Sequence, residues 1–496
     1  MVLSARLDQM DLISTAQKNN LVKINRLCQN YNIDLIPCIF SAGYGASILA
    51  HNPNLAAGIP VKNIKFKIKN NIAQPIPVSS LVNNNGGFEQ YNSNIAENFL
   101  FHDKPGKISF IDKTIFHKGA ASLRLENFSM HKNGNARVCQ EISVKPFSTY
   151  NLSCWIKSEG LQPFSKFKIQ IYTMDGKYLT SISPLKKADS NWKKISLAFN
   201  SMQYSSLRFY IGIWEGFSGK FWLDDIEVRE QPGLCNILRR PGTPILVISS
   251  KNGRVYKEGR DFEPVVDKKL NYKLDHPGPV IKFKPSAKIK NKEQIQVSYY
   301  QGVSMNHDQT AICMSEPEVY QIWNEQIRLL DTLLTPGFYF LSMDEIRQGG
   351  ACQACKKQNL SMAEILGNCI TRQHHIIKNI NPRAKIFIWS DMLDPNHNAR
   401  NNYDMVTGDF SGSWRYIPKD IIIVCWYYQK REQSLRHFTE NGFKILAAAY
   451  YDKNSLETTR QWLKTIKNHN NSVGIMYTTW KSQYNLLTDF GHLANE

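Results

Sequence analysis

Gly337-Phe-Tyr-Phe-Leu-Ser-Met-Asp-Glu-Ile-Arg347 is an aromatic and aliphatic run of strand length that ends in two adjacent carboxylates, Asp344 and Glu345. Side chains alternate faces along a strand, so neighbouring acids at its end point in different directions and are suited to different jobs. A catalytic site at the C-terminal end of a strand has this pattern. The competing reading is a solvated acid pair opening a loop or a helix, where carboxylates favour the helix N-terminus.

Four later segments repeat the design, an apolar run closing on Trp, Tyr or Asp and followed by a helical or loop stretch. They are Lys385-Ile-Phe-Ile-Trp389-Ser-Asp391, Ile421-Ile-Ile-Val-Cys-Trp426-Tyr-Tyr428, Phe443-Lys-Ile-Leu-Ala-Ala-Ala-Tyr450-Tyr451-Asp452 and Val473-Gly-Ile-Met-Tyr-Thr-Thr-Trp480. Short continuous apolar runs separated by helical stretches at 360 to 380, 431 to 441 and 455 to 469 predict buried parallel strands joined by helical crossovers. The expected fold class is α/β plus all-β, with a (β/α)8 barrel whose active site lies at the C-terminal strand ends. A single Trp is as well explained by core packing, but three at matching strand ends favour ligand contact.

These residues resemble family 20 glycoside hydrolases, which include β-N-acetylhexosaminidases. Asp344 and Glu345 match that family's acid pair, and Trp389, Trp426 and Trp480 match the tryptophans that wall its sugar pocket. Tyr451 and Asp452 resemble its Tyr-x-Asp neighbourhood, with adjacent spacing here. The run Ile33 to Phe40, continuing through Tyr44, resembles its third strand, with Cys38 at the glutamate position. The His-x-Gly-Gly that precedes the acid pair in the family is replaced by Phe340-Leu-Ser-Met343. The resemblance implies exo-acting, retaining hydrolysis of N-acetylhexosaminides, in which Asp344 orients the substrate's own acetamido oxygen as it attacks.

Glycosidic cleavage needs a proton donor to the leaving oxygen and a second group that stabilises or attacks the oxocarbenium-like centre. Glu345 is the candidate donor, its pKa expected to rise among Trp and Tyr. For a substrate without an acetamido group, Asp391, Asp409 and Asp452 are the strand-end candidates for the second carboxylate. The tryptophan faces, with Tyr44 and Tyr451, would hold the sugar. This chemistry needs no cofactor and no metal.

The other expectation of function is a non-catalytic glycan-binding protein on a degenerate barrel. Lys and Arg exceed Asp and Glu by 61 to 42, a formal charge of +19 over 496 residues. Lysines gather at 62 to 69 and 279 to 292 in alternating patterns such as Ile281-Lys-Phe-Lys. A solvated sheet face explains them; attraction to an anionic glycan or cell-wall polymer is the functional alternative. Nucleic acid is not expected, because no nucleic-acid-binding motif is present. No apolar stretch is long enough for a membrane span.

Ten cysteines are scattered without framework spacing, and only Cys352-Gln-Ala-Cys355 forms a CxxC pair. A zinc site calls for a second ligand pair at comparable spacing, and a redox motif calls for a βαβ setting. Neither accompanies it in the sequence. The pair is read as a loop feature, with a disulfide or incidental metal binding as the alternatives.

From about 86 to 230 the chain changes to short alternating strands with turn signals, which predict a β-sandwich. Gly87-Phe-Glu, Tyr150 through Trp155, the Trp192 strand and Phe221-Trp-Leu-Asp-Asp-Ile-Glu-Val228 resemble family 4/9 carbohydrate-binding modules, which are jelly rolls. Tyr172, Trp214 and Phe217 are candidates to stack on sugar. Residues 231 to 302 read as a second small β-rich region, leaving 1 to 80 and 303 to 496 as the two parts of the barrel. The chain is expected to start within that barrel, one early strand short. Met1 to Asp8 and the helix after it lack the basic stretch and uninterrupted apolar core of a signal peptide. That implies a cytoplasmic chain by default, or an exported one if its true N-terminus lies upstream.

Overall fold

The computed structural model describes residues 1–305 and 309–496. The chain forms two compact units, Met1–Ala57 with Gln309–Glu496, and Gly58–Asp308.

The first unit is built on a seven-stranded parallel sheet whose strands lie in sequence order. They are β1 (Val2–Leu3), β2 (Ile36–Ile39), β3 (Phe338–Leu341), β4 (Lys385–Trp389), β5 (Ile422–Cys425), β6 (Lys444–Tyr450) and β7 (Ser472–Thr478). Helices α1 (Thr15–Asn30), α2 (Pro317–Leu334), α3 (Met362–Ile380), α4 (Arg431–Glu440) and α5 (Glu457–Ile466) connect them. Capping boxes open two of these helices, Ser14 with Gln17 on α1 and Ser361 with Glu364 on α3. Each box satisfies backbone donors that would otherwise be orphaned.

Alternation places Phe340, Phe387, Ile422, Val424 and Ala448 together on one face of the sheet, with Trp389 and Trp426 packed against them. Tyr339, Leu341, Ile386, Ile388, Ile423, Cys425 and Ile445, which alternate with them along the strands, are buried as well. A sheet buried on both faces explains why the strands read as unbroken apolar runs.

Of the expected (β/α)8 barrel, the described residues form a half-barrel sheet of seven strands. Among the described residues no ladder joins β7 to β1. Seven strands, the first of only two residues, leave the backbone groups at the two outer edges without the neighbour that closure requires.

The second unit contains two five-stranded antiparallel sheets. One runs Tyr178–Ile182, Phe167–Thr173, Ser206–Ile213, Ala136–Ser143, Leu100–Phe101, and the other Ser190–Asn200, Thr149–Gln162, Ser218–Glu230, Ser122–Leu125, Ser109–Asp112. A six-stranded antiparallel sheet in the same unit takes Ile59–Lys69 and Ile72–Pro75 together with strands between 246 and 301. The expected barrel segment 1 to 80 therefore ends near Ala57. The reason is visible in the strand itself, where Ile64, Phe66 and Ile68 are buried and Lys65, Lys67 and Lys69 are exposed. That two-faced alternation suits an antiparallel sheet with one solvated side, not a buried parallel strand. These lysines accordingly lie on the solvated face.

Candidate functional site

The acids of the opening stretch lie just beyond β3, where the chain leaves the sheet. Glu345 has left-handed backbone, φ 46°, a conformation that costs a non-glycine residue about 1–3 kcal/mol and persists only where its surroundings impose it. Two contacts impose it here. The backbone N–H of Glu345 donates to Asp391 Oδ2 at 2.8 Å, just beyond β4. Just beyond β2, Gly43 packs so closely that a Cβ there would sit 2.3 Å from the carbonyl oxygen of Asp344 and 2.9 Å from that of Glu345. Only glycine permits that approach.

The Glu345 side chain is 25% exposed. One carboxylate oxygen pairs with Arg347 Nη2 at 2.9 Å, and the other accepts the Tyr44 hydroxyl. Arg347 also donates to Gln309 Oε1 and approaches Asp404 Oδ2 at 3.4 Å. Of the Trp and Tyr surroundings expected for Glu345, Tyr44 is in place, and a guanidinium is its other partner.

Two other carboxyls carry the burial. Asp391 is fully buried, and burial, followed by the charge of Asp344, pushes its pKa up to about 8. Its Oδ2 accepts from Asn398 Nδ2 at 3.3 Å as well as from Glu345, while Oδ1 finds no partner among the described residues. Burial also raises Asp344, against a hydrogen bond from Ser342 at 3.0 Å and with the Glu345 charge adding to the rise. Near neutral pH Asp391 therefore stays largely neutral.

The aromatic residues form a second group. Trp426 and Trp480 lie 6.1 Å apart, Tyr451 stacks on Trp480 at 5.8 Å, and His397 meets Trp426 edge-on at 4.8 Å. Trp480 is 60% exposed. Trp389 packs against Phe340 at 4.8 Å and belongs to the sheet face.

Tyr451 and Asp452, expected to touch sugar, have their polar atoms engaged within the protein. The Tyr451 hydroxyl meets the carbonyls of Trp426 and Ala448 and accepts from Trp462 Nε1 at 2.9 Å. Asp452 accepts from Thr479 and from the backbone of Trp480 at 2.8 Å and of Lys481 at 3.3 Å. Although desolvation opposes it, those bonds hold the Asp452 carboxyl below its ordinary range. Asp452 thus braces the turn that presents Trp480. Asp409, the remaining strand-end candidate, accepts the backbone N–H of Ser411 at 2.7 Å.

Sequence reasoning missed Arg347, Gln309, His397, Asn398 and Asp404. Arg347 closes the opening stretch, and its position two residues beyond Glu345 was an available signal. Asp8 was missed too: it is buried, accepts the backbone N–H groups of Phe40 at 3.0 Å and Ser41 at 3.3 Å, and is pushed up to about 6 by burial. It anchors the segment that leads to Tyr44.

In the second unit, the sheet containing Ala136–Ser143 and Ser206–Ile213 buries Val138, Phe209 and Ile211. Its other face carries Tyr172, Tyr210, Arg137 and Gln170, placed together by the register Tyr172–Arg208, Gln170–Tyr210 and Arg137–Gly212. Tyr210 meets Tyr172 edge-on at 5.5 Å and His102 at 5.3 Å, and Tyr172 meets Tyr178 at 5.7 Å. The Arg137 guanidinium lies 4.7 Å from the Trp214 ring, and its buried Nε and Nη1 have no hydrogen-bond partner among the described residues. Flat rings on an outer face suit the apolar C–H faces of a sugar. Of the residues named from sequence, Tyr172 and Trp214 belong to this face, while Phe217 is 66% exposed in the loop beyond it.

Comparison with known proteins bears chiefly on this unit. No curated protein matches the chain. Similar solved structures include TmCBM61 in complex with β-1,4-galactotriose, at 14% identity over 31% of this chain and 100% of that one, with TM-score 0.25. A xylan-binding CBM22-1 domain of Paenibacillus barcinonensis Xyn10C shares 16% identity over 29% of this chain and 91% of that one, with TM-score 0.21. The Flavobacterium johnsoniae chitobiase matches at 17% identity over 28% of this chain and 20% of that one, with TM-score 0.22. At these scores the likenesses carry no argument about mechanism. The family model described as a carbohydrate binding domain, CBM_4_9, matches residues 81–216, so this part of the chain is a CBM4/9-like carbohydrate-binding domain.

Proposed function

We propose that the chain is a glycoside hydrolase that engages a glycan through its sandwich domain and cleaves a glycosidic bond at Glu345. The observation that carries the reading is the partly exposed Glu345 carboxylate, gripped by Arg347 and Tyr44 and held in left-handed backbone by the buried Asp391. A carboxyl fixed at a strand end by charged and buried partners is a preorganised reacting group. In this reading Glu345 protonates the leaving oxygen and Asp344 orients the acetamido group of an N-acetylhexosaminide, the substrate class implied by the resemblance. Trp426 and Trp480 support the sugar ring.

The ion pair with Arg347 favours a second assignment, because a guanidinium at 2.9 Å stabilises the charged carboxylate. Glu345 would then act as nucleophile or as stabiliser of the oxocarbenium-like centre, with the proton held on Asp344. One substitution separates the two. If Glu345 is the acid, Glu345→Gln loses activity on an unactivated glycoside but keeps it on a dinitrophenyl glycoside, whose leaving group needs no proton. If Glu345 is the charged group, both activities disappear.

Glycan binding without turnover remains the reading for the sandwich domain alone. No hydrolysis across a panel of aryl glycosides, with glycan binding unaltered in Glu345→Gln, would overturn the hydrolase proposal and leave that one.

A further inference from the structure

Three sulfurs converge beside the acid loop. Cys313, Cys352 and Cys355 are buried, and their Sγ atoms lie 3.4 Å (313 to 352), 3.8 Å (313 to 355) and 3.6 Å (352 to 355) apart. The three ligand atoms form a cluster that can hold a metal ion. A second ligand pair at CxxC spacing is absent from the sequence, but folding supplies the third sulfur from a segment on the far side of α2 and β3. Cys313 is held there by its backbone N–H, which donates to the carbonyl of Leu55 at 2.8 Å.

From these atoms we propose a structural zinc site with three thiolate ligands, Cys313, Cys352 and Cys355. The spacing carries the argument. A tetrahedral ion with metal–sulfur bonds of about 2.3 Å separates its thiolates by roughly 3.8 Å, whereas a trigonal-planar ion with the same bonds separates them by roughly 4.0 Å. All three observed separations lie at or below the tetrahedral edge. They also far exceed the ~2.0 Å of a disulfide bond, and no pair is closer than the others by enough to single out a bridge. Three soft sulfurs select zinc or another thiophilic ion over magnesium or calcium. The Ser315 hydroxyl donates to Cys355 Sγ at 3.2 Å.

The consequence for the acid loop is mechanical. Gln309 Nε2 donates to the carbonyl of Glu345 at 2.9 Å, and the backbone N–H of Ala311 donates to Gln348 Oε1 at 3.3 Å. The segment 309 to 313 therefore runs beside the loop from Glu345 to Cys355, and a zinc ion at its end would clamp the two. Metal binding to such a cluster adds directly to folding stability.

The test uses the full chain, prepared under reductant, exposed to zinc and freed of excess metal. A second cluster, Cys235 with Asp267 and His276, is the internal control. The expected result is zinc that is retained in Cys235→Ser and lost in Cys313→Ser, with cobalt substitution giving the thiolate charge-transfer bands of a tetrahedral site. Zinc retained in Cys313→Ser and lost in Cys235→Ser would overturn the proposal, as would a native chain that takes up none. Should Cys313→Ser fail to fold, alkylation of the native chain decides: zinc-dependent protection at residues 313, 352 and 355 supports the site, and labelling that ignores zinc refutes it.

Discussion

Asp391 Oδ2 accepts the backbone N–H of Glu345 at 2.8 Å, so a buried carboxyl beyond one strand fixes the backbone of the acid beyond its neighbour. The bond links two properties of the site, a proton held in the interior and a carboxylate presented at the surface.

Asp391 makes the stability of the protein depend on pH. Its pKa of about 8 lies well above the ordinary 3.8, so between about pH 4 and pH 8 the folded state keeps a proton that the unfolded state has released. Stability from the neutral carboxyl is complete below that window and declines as pH rises through it. Asp391→Asn keeps an oxygen acceptor for Glu345 and removes the titration. Melting curves from pH 5 to pH 8 should show a shallower decline in the variant; an identical slope would exclude Asp391 as its source.

Arg347 binds three acceptors from a side chain that is 13% exposed. Lysine offers a point charge and cannot reproduce that fork. Losing one charged hydrogen bond of about 1.5–3 kcal/mol at the reacting group corresponds to roughly a 10- to 160-fold loss of rate. Arg347→Lys should show that loss in kcat/KM toward an aryl glycoside with a small change in Tm.

Gly43 cannot accept a side chain without parting the segments after β2 and β3. Gly43→Ala places a methyl 2.3 Å from the carbonyl oxygen of Asp344, so the backbone must move. The expected cost is about 1–3 kcal/mol, as for overpacking, with activity falling further than stability does. Denaturant midpoints and kcat/KM measured on one preparation would separate the two effects.

The sandwich face should bind glycan through its rings. Removing a stacking ring typically costs about 1–2 kcal/mol, or about tenfold in affinity. Tyr172→Ala and Tyr210→Ala should each weaken retention in glycan affinity electrophoresis by about that factor, while Phe217→Ala, in the loop beyond the face, should do so less. Equal retention in all three variants would place binding elsewhere in the unit.

The sequence by itself determined the parallel strands from β3 to β7, because strands buried on both faces read as unbroken apolar runs, and it determined the sandwich, whose alternation marks one buried side. It also located the acids Asp344, Glu345 and Asp391 and the exposed Trp480, since strand ends are local features. Only the tertiary structure decided what surrounds them. Arg347 stood in plain sight, but its contacts with Gln309 and Asp404 depend on segments that come together on folding. The same holds for Asp8 under Phe40 and for Cys313 beside Cys352 and Cys355. Sheet closure, too, is a relation between β1 and β7 at opposite ends of the chain, which no local pattern encodes. Period and propensity act over a few residues, whereas burial, charge pairing and ligand clusters depend on which distant segments share a neighbourhood.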